Sequence, residues 1–185
     1  AIFAIFLVVQ FFISGAKSLT AWEFEFLSFS GNLIATIGCL LDPLSAMMIL
    51  TVSLIAFVVH IYSIGYMQDD LSSGRFFALL SLFVFSMLGL VIATNIFQTF
   101  IFWELVGVSS YLLIGFWYNK PSAVAASKQA FILTRFADSF FLLGIILLSY
   151  IAKSFVFSDI NSLRLENFVG QMISLGIIEI PTNDA

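Results

Sequence analysis

Residues Asn95–Tyr118 read NIFQTFIFWELVGVSSYLLIGFWY. An α-helix rises about 1.5 Å per residue and the hydrocarbon core of a bilayer is about 30 Å thick, so ~20 apolar residues cross it. This stretch is long and apolar enough to do so, and it contains one charged residue, Glu104, near its middle. A carboxylate at that depth costs roughly 2.5–3.5 kcal/mol on insertion scales. Ionisable groups that survive there face a bundle interior or a water-filled cavity, and they mark paths for ions or protons. The same residues therefore point to a helical membrane fold and to a candidate site.

The rest of the chain agrees with lipid as its solvent. Of 185 residues, 61% are hydrophobic and 10% are charged, whereas a soluble domain carries about 25% charged residues. The mean hydropathy is +1.10. The formal charge of −4 comes mainly from loops and the C-terminal tail, and no basic patch suggests a nucleic-acid partner. One cysteine, Cys39, leaves no intrachain disulfide or zinc cluster. One histidine, His60, argues against a histidine-ligated metal or haem. Phosphate-binding glycine loops and nucleophile elbows are absent.

Outward from Glu104, the periodicity predicts an all-α integral membrane bundle of about five transmembrane helices with a short extramembrane β-hairpin. Residues 1–15 read as a helix missing its start, which makes the chain a fragment. Residues 16–42 form an extramembrane loop, in which Leu19–Phe29 (LTAWEFEFLSF) alternates polar and aromatic residues and Asn32–Ile37 supplies a second strand. Residues 43–152 hold four spans: Pro43–Tyr66, capped by Asp42, then Phe76–Thr94, Asn95–Tyr118 and Ser122–Ala152. Residues 153–185 read as a surface segment, with an amphipathic helix at Asp159–Ile178 capped by Asp159. Lysine and arginine are spread too evenly over the two sides to fix orientation.

The last span carries a second group of charges. Lys128, Arg135 and Asp138 are spaced by seven and three, which places them on one helical face. Arg135 and Asp138 can pair directly, and Thr134 and Ser139 lie beside the stripe. One reading is a hydrated polar track that exchanges protons with Glu104. The other is a snorkelling Lys128 beside a structural ion pair. Glu104 has Phe100, Gly107, Val108 and Tyr111 as helical neighbours; Gly107 admits close approach of another helix, and Tyr111 offers a hydroxyl donor. Trp103 reads as packing, Trp117 and Tyr118 as interfacial anchors, His60 as an interfacial residue, and Asp69 and Asp70 as solvated loop charges.

Four motifs together carry a family resemblance: LDPLSAMM (Leu41–Met48), RFFALLSLFVFSM (Arg75–Met87), FWELVGVSSYLLIGFWY (Phe102–Tyr118) and KQAFILTRFADSFFLLGI (Lys128–Ile145). Over roughly Leu40 to Tyr150 the chain resembles the largest antiporter-like membrane subunit of respiratory complex I, called subunit 5 in mitochondria and L in bacteria. The large subunits of multisubunit cation/proton antiporters are close cousins, and a monovalent cation/proton antiporter subunit is the alternative. The resemblance implies part of a larger antiporter-like fold and a proton-translocating subunit of an NADH:quinone oxidoreductase with no redox site of its own. Flavin, iron–sulfur clusters and quinone are then expected in partner subunits, with lipid, protons and other membrane subunits as the partners of this one. A multi-pass location follows, in a bacterial plasma membrane, with mitochondrial inner and thylakoid membranes as alternatives.

Matched by motif, Glu104 takes the place of the family's membrane glutamate, and Arg135 and Asp138 that of the Arg/Asp pair that tunes it; Lys128 joins them in the ion-pair track. The family pairs the glutamate with a lysine on a later, broken helix. No such helix occurs in this chain, and family members are several-fold longer.

Overall fold

The computed structural model describes residues 1–29 and 33–161. Its elements, in order, are α1 (Ile2–Ser14), β1 (Leu19–Phe29), β2 (Leu33–Leu41), α2 (Pro43–Tyr66), α3 (Ser73–Val91), α4 (Ile96–Ile114), α5 (Pro121–Ala152) and α6 (Phe157–Asn161). Four helices, α2 to α5, are long and apolar enough to cross a membrane. The fifth expected span is the shorter α1, whose 13 residues reach only about 20 Å at 1.5 Å per residue. The expected surface helix Asp159–Ile178 falls largely outside the described residues. Within them α6 begins at Phe157, so Asp159 lies in its first turn and is not its cap.

The helix ends follow local chemistry. Asp42 and Ser45 form a reciprocal capping box, with Ser45 N–H donating to Asp42 Oδ1 at 2.6 Å and Asp42 N–H donating to Ser45 Oγ at 2.7 Å. Pro43 follows at the first helical position, where no N–H is needed. Gly15 ends α1 at φ 64°, the left-handed conformation glycine tolerates best. Helix α4 stops at Ile114, short of the expected Tyr118, and Gly115 N–H closes back onto Tyr111 C=O at 3.0 Å.

Helices α4 and α5 run antiparallel, and their contacts step along both by roughly one turn. Phe100 meets Phe141 with ring centroids 5.8 Å apart, and Tyr111 meets Phe131 at 5.0 Å. Two glycines face side chains of α5: Gly107 on α4 faces Arg135, and Gly115, just past the end of α4, faces Ser127. On the other flank of α4, the Phe102 ring lies directly on Gly89 of α3, where a Cβ would overlap it. Large side chains such as Leu44 on α2 and Leu133 on α5, each 72% exposed, cover the outside of the bundle. That surface suits lipid or neighbouring protein rather than water.

The hairpin forms as the alternation predicts. Strands β1 and β2 pair antiparallel from Leu19↔Leu41 to Phe29↔Leu33, with register shifts at Thr20/Trp22 and Glu25/Leu27. The second strand runs beyond the expected Ile37 to Leu41, and Cys39 lies on that extension. Burial pushes the Cys39 thiol up, which keeps it protonated and unreactive near neutral pH.

A buried amide knot joins this hairpin to α4. Gln98, 2% exposed, donates through Nε2 to Gly38 C=O at 2.9 Å, and its Oε1 accepts from Gly38 N–H at 3.0 Å and Thr94 Oγ1 at 3.0 Å. Asn95, fully buried, caps α4 by accepting from Gln98 N–H at 2.8 Å and donates to Thr36 C=O at 2.7 Å. Gly38 is required here: a Cβ would come within 2.7 Å of Trp22 C=O and 2.8 Å of Thr94 Cγ2. Strand-like contacts from Leu40 N–H to Ile92 C=O and from Ile96 N–H to Phe155 C=O complete the junction.

At the opposite end, the α2–α3 and α4–α5 loops meet. Trp117 Nε1–H donates to Asp70 Oδ2 at 3.2 Å, and Ser72 N–H donates to Asp70 Oδ1 at 2.7 Å. Arg75 lies over the Phe116 and Tyr118 rings and donates to Phe116 C=O at 2.9 Å. Asp70 is the solvated loop charge the sequence suggests, and it also links the two loops.

Two outcomes are expected. Gln98→Leu strands the Gly38 N–H and C=O without partners, at about 1–3 kcal/mol for each buried group. Limited proteolysis of the full-length protein should then cut the hairpin faster, while unchanged cleavage would show that Gln98 does not hold it. The Ser72 N–H, followed by the Trp117 indole and the charge of Arg75, holds the Asp70 carboxyl below the usual carboxylate range. A carboxyl lowered in the folded state contributes stability above its unfolded value and loses it as pH falls through the lowered one. Trp117 emission should therefore change on acidification below the ordinary aspartate range, and Asp70→Asn should remove that transition.

Candidate functional site

Glu104, Arg135 and Asp138 gather where α4 crosses α5, while Lys128 stands apart. Arg135 Nη1 of α5 forms an ion pair with Glu104 Oε2 of α4, with the two side chains 26% and 25% exposed. Arg135 Nη2 donates to the Glu104 backbone carbonyl at 3.1 Å, so one guanidinium holds both the side chain and the main chain of the same residue. Phe131, one turn back on α5, underlies the guanidinium with its centroid 4.7 Å from Cζ, a cation–π contact.

Gly107 makes the room. It lies one turn beyond Glu104, and a Cβ there would sit 2.7 Å from Arg135 Nη2. The sequence suggests that Gly107 admits a helix, but what it admits is the guanidinium tip. Tyr111 packs obliquely on Phe131, the ring that underlies the guanidinium.

Asp138 does not pair with Arg135, although their spacing allows it. It is 8% exposed, and its Oδ1 accepts from Trp103 Nε1–H at 2.8 Å. This corrects two expectations together: the intrahelical Arg135–Asp138 pair is not formed, and Trp103 is a hydrogen-bond donor as well as packing. The only sequence signal for Trp103 is its place beside Glu104, a polar-tipped side chain next to a buried charge. The physical reason for the rearrangement is that α4 brings both an acid and a neutral donor to a face where α5 carries a base and an acid. Each charged group finds a partner on the other helix.

Lys128 is exposed and two turns from Arg135 on α5. Thr134 Oγ1 donates to Phe131 C=O at 2.9 Å and Ser139 Oγ to Arg135 C=O at 2.9 Å, so both hydroxyls beside the stripe bind their own helix. His60 Nδ1 lies 2.7 Å from Ala56 C=O on α2 and faces Phe77, away from the pair. Among the described residues, no three of His, Cys, Asp and Glu converge where they could hold a metal ion. The site holds paired charge between two helices.

The geometry can be set beside known proteins. Residues 26–77 match the family model described as NADH-Ubiquinone oxidoreductase (complex I), chain 5 N-terminus, and residues 93–180 match that described as NADH:quinone oxidoreductase/Mrp antiporter, TM. NAD(P)H-quinone oxidoreductase subunit 5, chloroplastic, of Zygnema circumcarinatum is 50% identical over 131 residues, which is 71% of this chain and 19% of that protein. NAD(P)H-quinone oxidoreductase chain 5 of Synechocystis sp. is 46% identical over 149 residues, 80% of this chain and 22% of the relative. The chain thus spans about a fifth of the length of the curated relatives it matches. In three dimensions, a chain of the membrane-bound sulfane sulfur reductase, an archaeal respiratory membrane complex, superposes with a TM-score of 0.67 at 22% identity, covering 89% of this chain and 32% of that one. That likeness shows a shared fold. The four apolar helices and the two family matches make this a multi-pass membrane protein, and the chain belongs to the family of antiporter-like membrane subunits of NADH:quinone oxidoreductase, of the subunit 5 type.

Proposed function

We propose that this chain forms part of a proton-translocating membrane subunit of an NADH:quinone oxidoreductase, with Glu104 as its proton-linked carboxylate. The observation that carries the reading is the Arg135–Glu104 pair between two membrane helices. An ion pair in low dielectric is costly to break by removing one partner, about 3–5 kcal/mol. Anything that moves the guanidinium therefore changes strongly how well the carboxylate holds its charge. A conformational step becomes a proton step with no redox group nearby.

In this reading Glu104 carries the charge and Arg135 sets its environment. Asp138 acts on Arg135 from the next turn, and Lys128 lies further along the same helix toward one membrane surface. A lysine elsewhere in the full-length protein alternates with Arg135 as partner of Glu104. Electrons pass through flavin, iron–sulfur clusters and quinone in other subunits, and further membrane subunits of the complex are the neighbours of this one. The relatives named above are oxidoreductase subunits, which favours this reading over a free-standing cation/proton antiporter. The host membrane proposed is an energy-transducing one, a bacterial plasma membrane or its organellar equivalent.

Substitutions in the full-length subunit, followed by proton uptake in vesicles, test this. Glu104→Gln should abolish pumping with assembly preserved; intact pumping would reduce the site to a structural ion pair. Asp138→Asn should weaken pumping less, because it acts through Arg135, and an equal or larger loss would count against that order. Gly107→Ala should displace the guanidinium without disturbing the helices, lowering pumping about tenfold, equivalent to ~1.4 kcal/mol.

A further inference from the structure

Arg135 and Asp138 lie three residues apart on α5, the separation at which side chains on one helix meet. Asp138 is 8% exposed, and a carboxylate so enclosed takes a donor wherever one is offered. A guanidinium offers five N–H donors and binds a carboxylate more strongly than any neutral donor does. Asp138 nevertheless accepts from the Trp103 indole at 2.8 Å, and the guanidinium lies on Glu104.

We infer that Trp103 is a positioning residue: its indole N–H occupies Asp138 and so leaves Arg135 to Glu104. Trp103 and Glu104 are consecutive on α4 and so point about 100° apart. One delivers a donor to the acid of α5, and the other delivers an acid to its base. Trp103 is otherwise 49% exposed, with its ring edge-on to Phe141 at 6.0 Å. Its polar contribution is the N–H. The inference rests on the proton-translocation reading only for its effect on pumping; the choice of partner by Arg135 is a matter of geometry alone.

The test uses the full-length subunit in its assembled complex. Trp103→Phe keeps a ring and removes the donor. A β-(3-benzothienyl)alanine at the same position keeps the bicyclic shape, with sulfur in place of N–H, and guards against a packing failure. In the structure of either variant the guanidinium should have moved from Glu104 onto Asp138; a guanidinium still on Glu104 overturns the inference. Pumping should fall about tenfold, the worth of one hydrogen bond to a charged group. In an Asp138→Asn background, Trp103→Phe should cost nothing further, since no charged competitor for Arg135 remains. Losses that multiply would mean that Trp103 acts through packing, and they too would overturn it. A guanidinium that moves with pumping intact would uphold the positioning role and sink the proton-linked role of Glu104.

Discussion

A guanidinium and a carboxylate held together between apolar helices set the terms for the rest of this structure. Hydrocarbon supplies no water to either group, so each must be satisfied by protein. Arg135 answers by binding Glu104 twice, at the side chain and at the backbone carbonyl. That grip needs close approach, which explains the glycine at position 107, and it needs a flat support, which Phe131 provides. An alanine, one methyl larger, would fill the space the guanidinium occupies.

The pair depends in turn on where α4 is anchored. Gln98 lies six residues before Glu104, about 9 Å along the helix, and its amide is built into the hairpin through Gly38. Asn95 caps the same helix and reaches Thr36. The amides give the first turn of α4 a fixed position relative to the β1–β2 hairpin, and the glycine contacts with α3 and α5 limit its rotation. Two polar clusters on one helix thus serve different ends: the amide knot places α4, and the ion pair joins it to α5.

Much of this was legible in sequence. The spans followed from apolar runs of the right length, and Asp42-Pro43 marked the start of α2 to the residue. The alternation of LTAWEFEFLSF marked β1 with both of its ends. Helix ends were harder where the apolar run outlasts the helix. Phe116 is apolar and buried, yet it lies in a turn and not in α4. Within the site, the same-face spacing of Lys128, Arg135 and Asp138 was visible, but the choice of partner was not. Periodicity says which residues share a face of one helix; it is silent on the register of two helices against each other. Trp103 and Asp138 are 35 positions apart, and only the crossing of α4 over α5 makes them neighbours. Nothing in the sequence singled out Gln98 and Asn95, because their partners lie some 60 positions earlier.

Register is also where the polar residues have their clearest structural consequence. Lipid chains are as apolar as leucine, so burial alone hardly distinguishes one sliding position of two membrane helices from the next. Displacing α5 along α4 by one turn in one direction would bring Asp138 toward Glu104, setting two carboxylates together. In the other direction Glu104 would face Phe131 and lose its base. Either slip would also carry the guanidinium away from Gly107 and the indole away from Asp138. The observed register is the one in which two acids, one base and one neutral donor each meet a partner across the interface, with Arg135 engaged through its two terminal nitrogens. An ion pair taken out of water adds little net stability, while losing one partner is costly, about 3–5 kcal/mol, so a register that separates the pair is disfavoured. At Glu104 a single charge acts as a key for helix register, because Arg135 of the neighbouring helix is the base it meets there.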